Sequence, residues 1–122
     1  MAPPDLIKNR SPAQLKQKGI QLYKEKKYED ALVMFNAALN DQPLFDILDN
    51  RAATFTRLAR FDLALKDGRD MCKIDPDNVG AYLRTGKILE IMQKDDVALK
   101  IYQRGLHRLP QDKVQGQDVL VP

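Results

Sequence analysis

The chain has 122 residues, 43% hydrophobic and 30% charged, with a net charge of +3 from 20 Lys plus Arg against 17 Asp plus Glu. That is the balance of one globular domain rather than a disordered chain, and the charges are too mixed to announce a nucleic-acid-binding face. No apolar run is long enough for a membrane span, and the N-terminus MAPPDLIKNRS lacks a signal-peptide core; the single cysteine, Cys72, excludes an internal disulfide framework, so nucleus or cytoplasm is expected.

In chain order, residues 1–11 read as an N-terminal arm. Ser11-Pro12-Ala13-Gln14 is a capping box with proline at the first helical position, opening a helix from about 12 to 25. Leu15, Gly19 and Leu22 share one face of it. After a break at Lys26-Lys27, a second helix carries Ala31, Leu32, Phe35, Ala38 and Leu39, and Pro43 is expected to stop it. Helices follow near 45–58 and 61–73, closed by Asp75-Pro76-Asp77, and near 79–92 and 95–108, closed by Pro110. Residues 111–122 read as a tail, either a partial capping segment or a protease-site remnant.

The pattern has a period. Ala31, Ala64 and Ala98 are spaced by 33 and then 34 residues, as are Pro43, Pro76 and Pro110, and Gly19, Ala52 and Gly86. Phe35 and Tyr102 follow their alanines by four residues, with Gly68 in the middle copy. Chance rarely keeps one period in four registers, so three repeated helix pairs occupy about 12–44, 45–78 and 79–112. The small residues are expected where antiparallel helices cross, letting the backbones approach. The expected core is Leu15, Gly19, Leu22, Ala31, Phe35, Ala52, Phe55, Ala64, Leu65, Gly86, Leu89, Ala98 and Tyr102.

These residues and their period resemble the tetratricopeptide repeat (TPR) family over roughly 12–110. Gly68 and Met71 depart from its usual residue sizes. The resemblance implies an all-α fold, three helix-turn-helix repeats in a right-handed superhelix, with the first helix of each repeat lining a concave groove. It implies a monomeric, non-enzymatic protein-binding module without cofactor or metal, and with neither nucleic acid nor membrane as partner.

The residues themselves give catalysis no support. His107 stands alone near the end of the last helix, Cys72 has no activating neighbour in sequence, and Asp95-Asp96 suit a helix start. Gly80 to Lys87 imitates a phosphate loop, but five residues separate its glycines, Ile88 replaces the required Ser or Thr, and no strand precedes it.

The candidate groove residues are Lys16, Ile20, Tyr23, Lys24, Asn50, Arg57, Leu83, Arg84 and Lys87, with Asp46, Asp49 and Ala53 beside them. Bases outnumber acids, which suits a peptide carrying carboxylates and apolar side chains. Chaperone-binding members of the family grip a C-terminal EEVD with five residues. Lys16, Asn50 and Arg84 match three of those positions; Ile20 replaces an asparagine and Gly80 a lysine. Weak EEVD binding is therefore expected, near or above roughly 100 μM. The runs LDNRAATFTRL and Tyr82 to Leu106 also resemble the TPR region of fungal F-box proteins with leucine-rich repeats. That resemblance implies an excised partner-docking region of a cullin-type ubiquitin-ligase receptor at the replication machinery, in the nucleus, and ranks first; a co-chaperone adaptor ranks second.

Overall fold

The computed structural model describes residues 7–109, so the expectations for the tail and for the first six residues of the arm lie outside the described residues. Six helices follow one another: α1 (Pro12–Lys24), α2 (Tyr28–Ala38), α3 (Phe45–Arg57), α4 (Phe61–Ile74), α5 (Gly80–Ile91) and α6 (Asp95–Leu106). No strand occurs among the described residues. The helices pack as three pairs, α1 with α2, α3 with α4 and α5 with α6; contacts of α2 with α3 and of α4 with α5 join the pairs. α1, α3 and α5 also touch side by side and form the inner layer.

Local chemistry explains the boundaries. Ser11 Oγ accepts from the Gln14 amide at 3.1 Å and Gln14 Oε1 accepts from the Ser11 amide at 2.9 Å, completing the capping box of α1. Within each pair the turn is the same. Lys26, Ala59 and Gln93, spaced by the repeat period, have φ of 63°, 56° and 62°. The next amides, of Lys27, Arg60 and Lys94, each donate 2.8 Å bonds back to the carbonyls of Leu22, Phe55 and Leu89. This is a left-handed C-terminal cap built without glycine. One boundary departs from expectation: α2 ends at Ala38, well before Pro43. Asn40 and Asp41 favour turns over helix, so the chain leaves the helix before the proline acts.

The small residues work differently from a simple backbone approach. A Cβ on Gly19 would lie 2.5 Å from the Phe35 ring of α2, and one on Gly86 2.1 Å from the Tyr102 ring of α6. In the outer pairs the glycine makes room for a ring. In the middle pair Ala52 is fully buried, and a Cβ on Gly68 would meet Thr85 Oγ1 of the next pair at 2.3 Å.

Leu15, Leu22, Ala31, Phe35, Ala52, Phe55, Ala64, Leu89 and Ala98 are buried as expected, while Leu65 and Tyr102 are only half-buried. The core also holds a charge. Asp67 is 1% exposed and receives two hydrogen bonds from Arg51, at 2.9 and 2.7 Å. Arg51 also donates to Asn36 Oδ1 on α2 at 3.0 Å and lies over the Phe55 ring. Burial pushes the Asp67 carboxyl above its usual range, and the Arg51 guanidinium offsets only part of that rise.

Candidate functional site

The inner layer presents a groove. A cavity of about 300 Å³ is lined by Ile20, Tyr23 and Lys24 of α1, Phe35 of α2, Asn50 and Ala53 of α3, and Arg84 of α5. A second, of about 320 Å³, shares Tyr23, Ala53 and Arg84 with it and adds Thr56, Arg57, Lys87 and Ile91. The helical period puts these side chains on one face: Ile20 to Lys24, Asn50 to Ala53 to Arg57, and Arg84 to Lys87 to Ile91 are steps of three or four residues.

Seven of the nine sequence-derived residues line these two cavities, and the other two are placed elsewhere. Leu83 is 51% exposed and points to a separate apolar cavity with Tyr82, Tyr102, Gly105 and Leu106, at the α5–α6 end. Leu83 lies one residue before Arg84, about 100° round the helix, which takes it off the face that Arg84 presents to the groove. Lys16 lines neither cavity and is paired with Asp46 of α3.

The charges are not all available. Lys16 Nζ donates to Asp46 Oδ2 at 2.7 Å, which holds the Asp46 carboxyl below its usual range. Arg84 Nε donates to Asp49 Oδ1 at 2.6 Å. Asn50 spends one amide hydrogen on the Asp46 carbonyl at 2.9 Å, within its own helix. Arg57 differs: its Nε donates to the neutral Tyr23 hydroxyl at 3.0 Å, and its guanidinium sits 6.0 Å over that ring. That bond raises the Arg57 pKa further above its ordinary value. Lys24 and Lys87 form no ion pair with a described residue. Sequence reading placed Asp46 and Asp49 in the groove but missed their pairing with Lys16 and Arg84. The pairing depends on how α1, α3 and α5 sit side by side, which position along one helix does not signal.

Elsewhere little chemistry is assembled. His107 is exposed at the end of α6, and Cys72 lies 3.3 Å from the Tyr82 hydroxyl. Gly80 to Lys87 is part of α5. Among the described residues no group of three or more His, Cys, Asp or Glu side chains is arranged to hold a metal, and no helix is long and apolar enough to cross a membrane.

No protein-family model matches the chain. Among curated proteins, it is similar to Hsp70-Hsp90 organizing protein 2 of Arabidopsis thaliana, 32% identical over 99 residues that make up 80% of this chain and 17% of that protein. It is also similar to F-box/TPR repeat protein pof3 of Schizosaccharomyces pombe, 29% identical over 94 residues, 75% of this chain and 16% of that protein. The chain thus spans about a sixth of the length of these curated relatives. Among solved structures it is similar to the first TPR of Spaghetti (RPAP3) bound to HSP90 peptide SRMEEVD. That match has a TM-score of 0.72 and 28% identity, covering 83% of this chain and 81% of that one. The Arabidopsis OM64 TPR domain aligns with a TM-score of 0.72 and 31% identity, over 84% of this chain and 86% of that one. With six paired helices, a 33–34-residue period and a relative of this identity matched over most of its length, the chain belongs to the tetratricopeptide repeat family.

Proposed function

We propose that this chain is a non-enzymatic adaptor module whose groove takes an acidic peptide segment of a chaperone, as a co-chaperone does. The carrying observation is that Asn50 and Arg84 converge on one cavity with Ile20 and Ala53 as its apolar wall. The similarity to an HSP90-peptide-bound TPR and to an Hsp70-Hsp90 organizing protein supports this reading, and it moves ahead of the ligase reading that sequence resemblance ranks first. The ligase reading stays second, favoured by the match to F-box/TPR repeat protein pof3; an F-box downstream in the full-length gene would decide it.

Titration calorimetry with the peptide SRMEEVD tests the first reading. With Ile20 and Gly80 in two of the five gripping positions, binding near roughly 100 μM is expected. Arg84→Ala should weaken it by about 0.5–1 kcal/mol, because Asp49 already holds that guanidinium. Absence of binding at millimolar peptide, or affinity untouched by both Arg84→Ala and Asn50→Ala, would refute the reading.

A further inference from the structure

The groove cations divide into two sets. At the end formed by the N-terminal halves of α1, α3 and α5, each cation already holds an acid of this chain: Lys16 holds Asp46 and Arg84 holds Asp49. At the opposite end, Lys24 is the last residue of α1, Arg57 the last of α3, and Lys87 lies about one turn from the end of α5. None of these three has an anionic partner among the described residues; Arg57 meets only the neutral Tyr23 hydroxyl. The nearest acid in sequence, Glu25, is taken by Gln21 and Lys27. The two adjoining cavities lie between the sets, floored by Ile20, Tyr23 and Ala53 and closed at the far end by Ile91.

From this we infer that the dominant anion-binding element is the rim Lys24, Arg57 and Lys87. Its ligand is a protein segment that seats an apolar side chain on Ile20, Tyr23 and Ala53 and lays two or more side-chain carboxylates on that rim. A free terminal carboxylate is not the main anchor. Two physical arguments carry this. A ligand carboxylate at Lys16 or Arg84 must displace Asp46 or Asp49, exchanging one ion pair for another with little net gain. A carboxylate at the rim meets cations that have no ion-pair partner among the described residues, so it adds attraction and gives up only water. Second, Ile20 carries no hydrogen-bonding group, so that part of the wall rewards an apolar side chain and penalises a bare carboxylate.

The inference rests on the groove being a peptide site and deepens it by naming what the peptide must offer. Three fluorescein-labelled peptides are compared by anisotropy: SRMEEVD with a free C-terminus, the same peptide amidated at its C-terminus, and an amidated peptide with Glu-Glu-Asp beside a single Leu. Each is titrated with wild-type protein, Lys24→Glu, Lys87→Glu and the double variant. Both lysines are exposed and unpaired with any described residue, so these variants should fold, and circular dichroism confirms it. Amidation should cost less than threefold, the Glu-Glu-Asp-Leu peptide should bind at least as tightly as SRMEEVD, and the double variant should lose tenfold or more for all three. Loss of binding on amidation, with unchanged affinity in the double variant, would overturn the inference while leaving the peptide groove standing. Failure of all three peptides to bind the wild type would overturn the groove reading itself.

Discussion

The middle repeat and the two outer repeats solve one packing problem in two ways. In the outer repeats the first helix offers glycine, Gly19 or Gly86, and the second fills the space with a ring, Phe35 or Tyr102. The middle repeat keeps both positions small, Ala52 and Gly68. It holds its helices together with the buried Arg51–Asp67 pair instead, and receives Thr85 from the neighbouring repeat against Gly68. Ring packing tolerates no added atom, whereas the middle repeat depends on a satisfied charge. The same fold therefore fails differently at its centre and at its ends.

The largest expected effect comes from breaking the central pair. Arg51→Ala leaves Asp67 buried without its guanidinium and should destabilise by about 3–5 kcal/mol in chemical denaturation. Replacing both partners, Arg51→Leu with Asp67→Met, should recover most of that loss, because the pair then needs no compensation. If the double variant is as unstable as the single one, the pair does more than neutralise itself.

Glycine replacements sharpen the contrast. Gly86→Ala forces the Tyr102 ring out of place and should cost about 1–3 kcal/mol. Gly68→Ala meets only the end of the Thr85 side chain, which can rotate, and gains alanine's helix propensity of about 1 kcal/mol. Its stability should equal or exceed that of the parent. Equal losses for the two variants, measured by urea unfolding, would erase the distinction between centre and ends.

The turns provide a test of opposite sign. Ala59, at φ 56°, adopts the left-handed conformation that costs a side chain about 1–2 kcal/mol. Ala59→Gly relieves that cost but adds freedom to the unfolded chain, worth about 0.4–1 kcal/mol, so a net stabilisation of about 0.5–1 kcal/mol is expected. A lower melting temperature for this variant would show that the turn is not strained.

The smallest effect concerns Tyr102. Burial, followed by its hydrogen bond to Glu90, raises its pKa from 10.0 to about 12. The unfolded phenol ionises first, so the stability this residue contributes is complete below pH 10 and is lost as pH rises from there through about 12. Over that window the melting temperature of Tyr102→Phe should fall less steeply than that of the parent. Parallel curves would remove Tyr102 from the account.

Sequence periodicity made most of the architecture legible. The capping box at Ser11, the recurring alanines and the Asp75-Pro76 stop place five helix ends within one or two residues of where they occur. The end of α2 escaped because a proline marks where a helix cannot continue, not where it stops. Asp67 escaped because charged residues are ordinarily read as exposed. Its register gave it away all the same: it lies 33 residues after Met34 and 34 before Ile101, both apolar. In the groove, the period identified which side chains share a face. It could not show that Asp46 and Asp49 occupy Lys16 and Arg84, because those bonds depend on the lateral spacing of helices in space rather than on position along one of them.

The core around the middle repeat carries a consequence for how the molecule comes apart. It joins Leu32 of α2, Ala52 and Phe55 of α3, Ala64 of α4 and Ile88 of α5, so a single set of contacts crosses all three repeats. In a linear array, such shared burial is the coupling between neighbours, and strong coupling makes units open together rather than one by one. α6 lies outside this cluster: its buried residues are Ala98 and Gly105, and Val97, Leu99 and Leu106 are exposed. Amide protons of α2 to α5 should then exchange through one shared opening, with α6 exchanging earlier through a local one. The array unzips from its last helix, and the α3 and α5 walls of the groove, anchored in the cooperative block, are the last part to lose their shape.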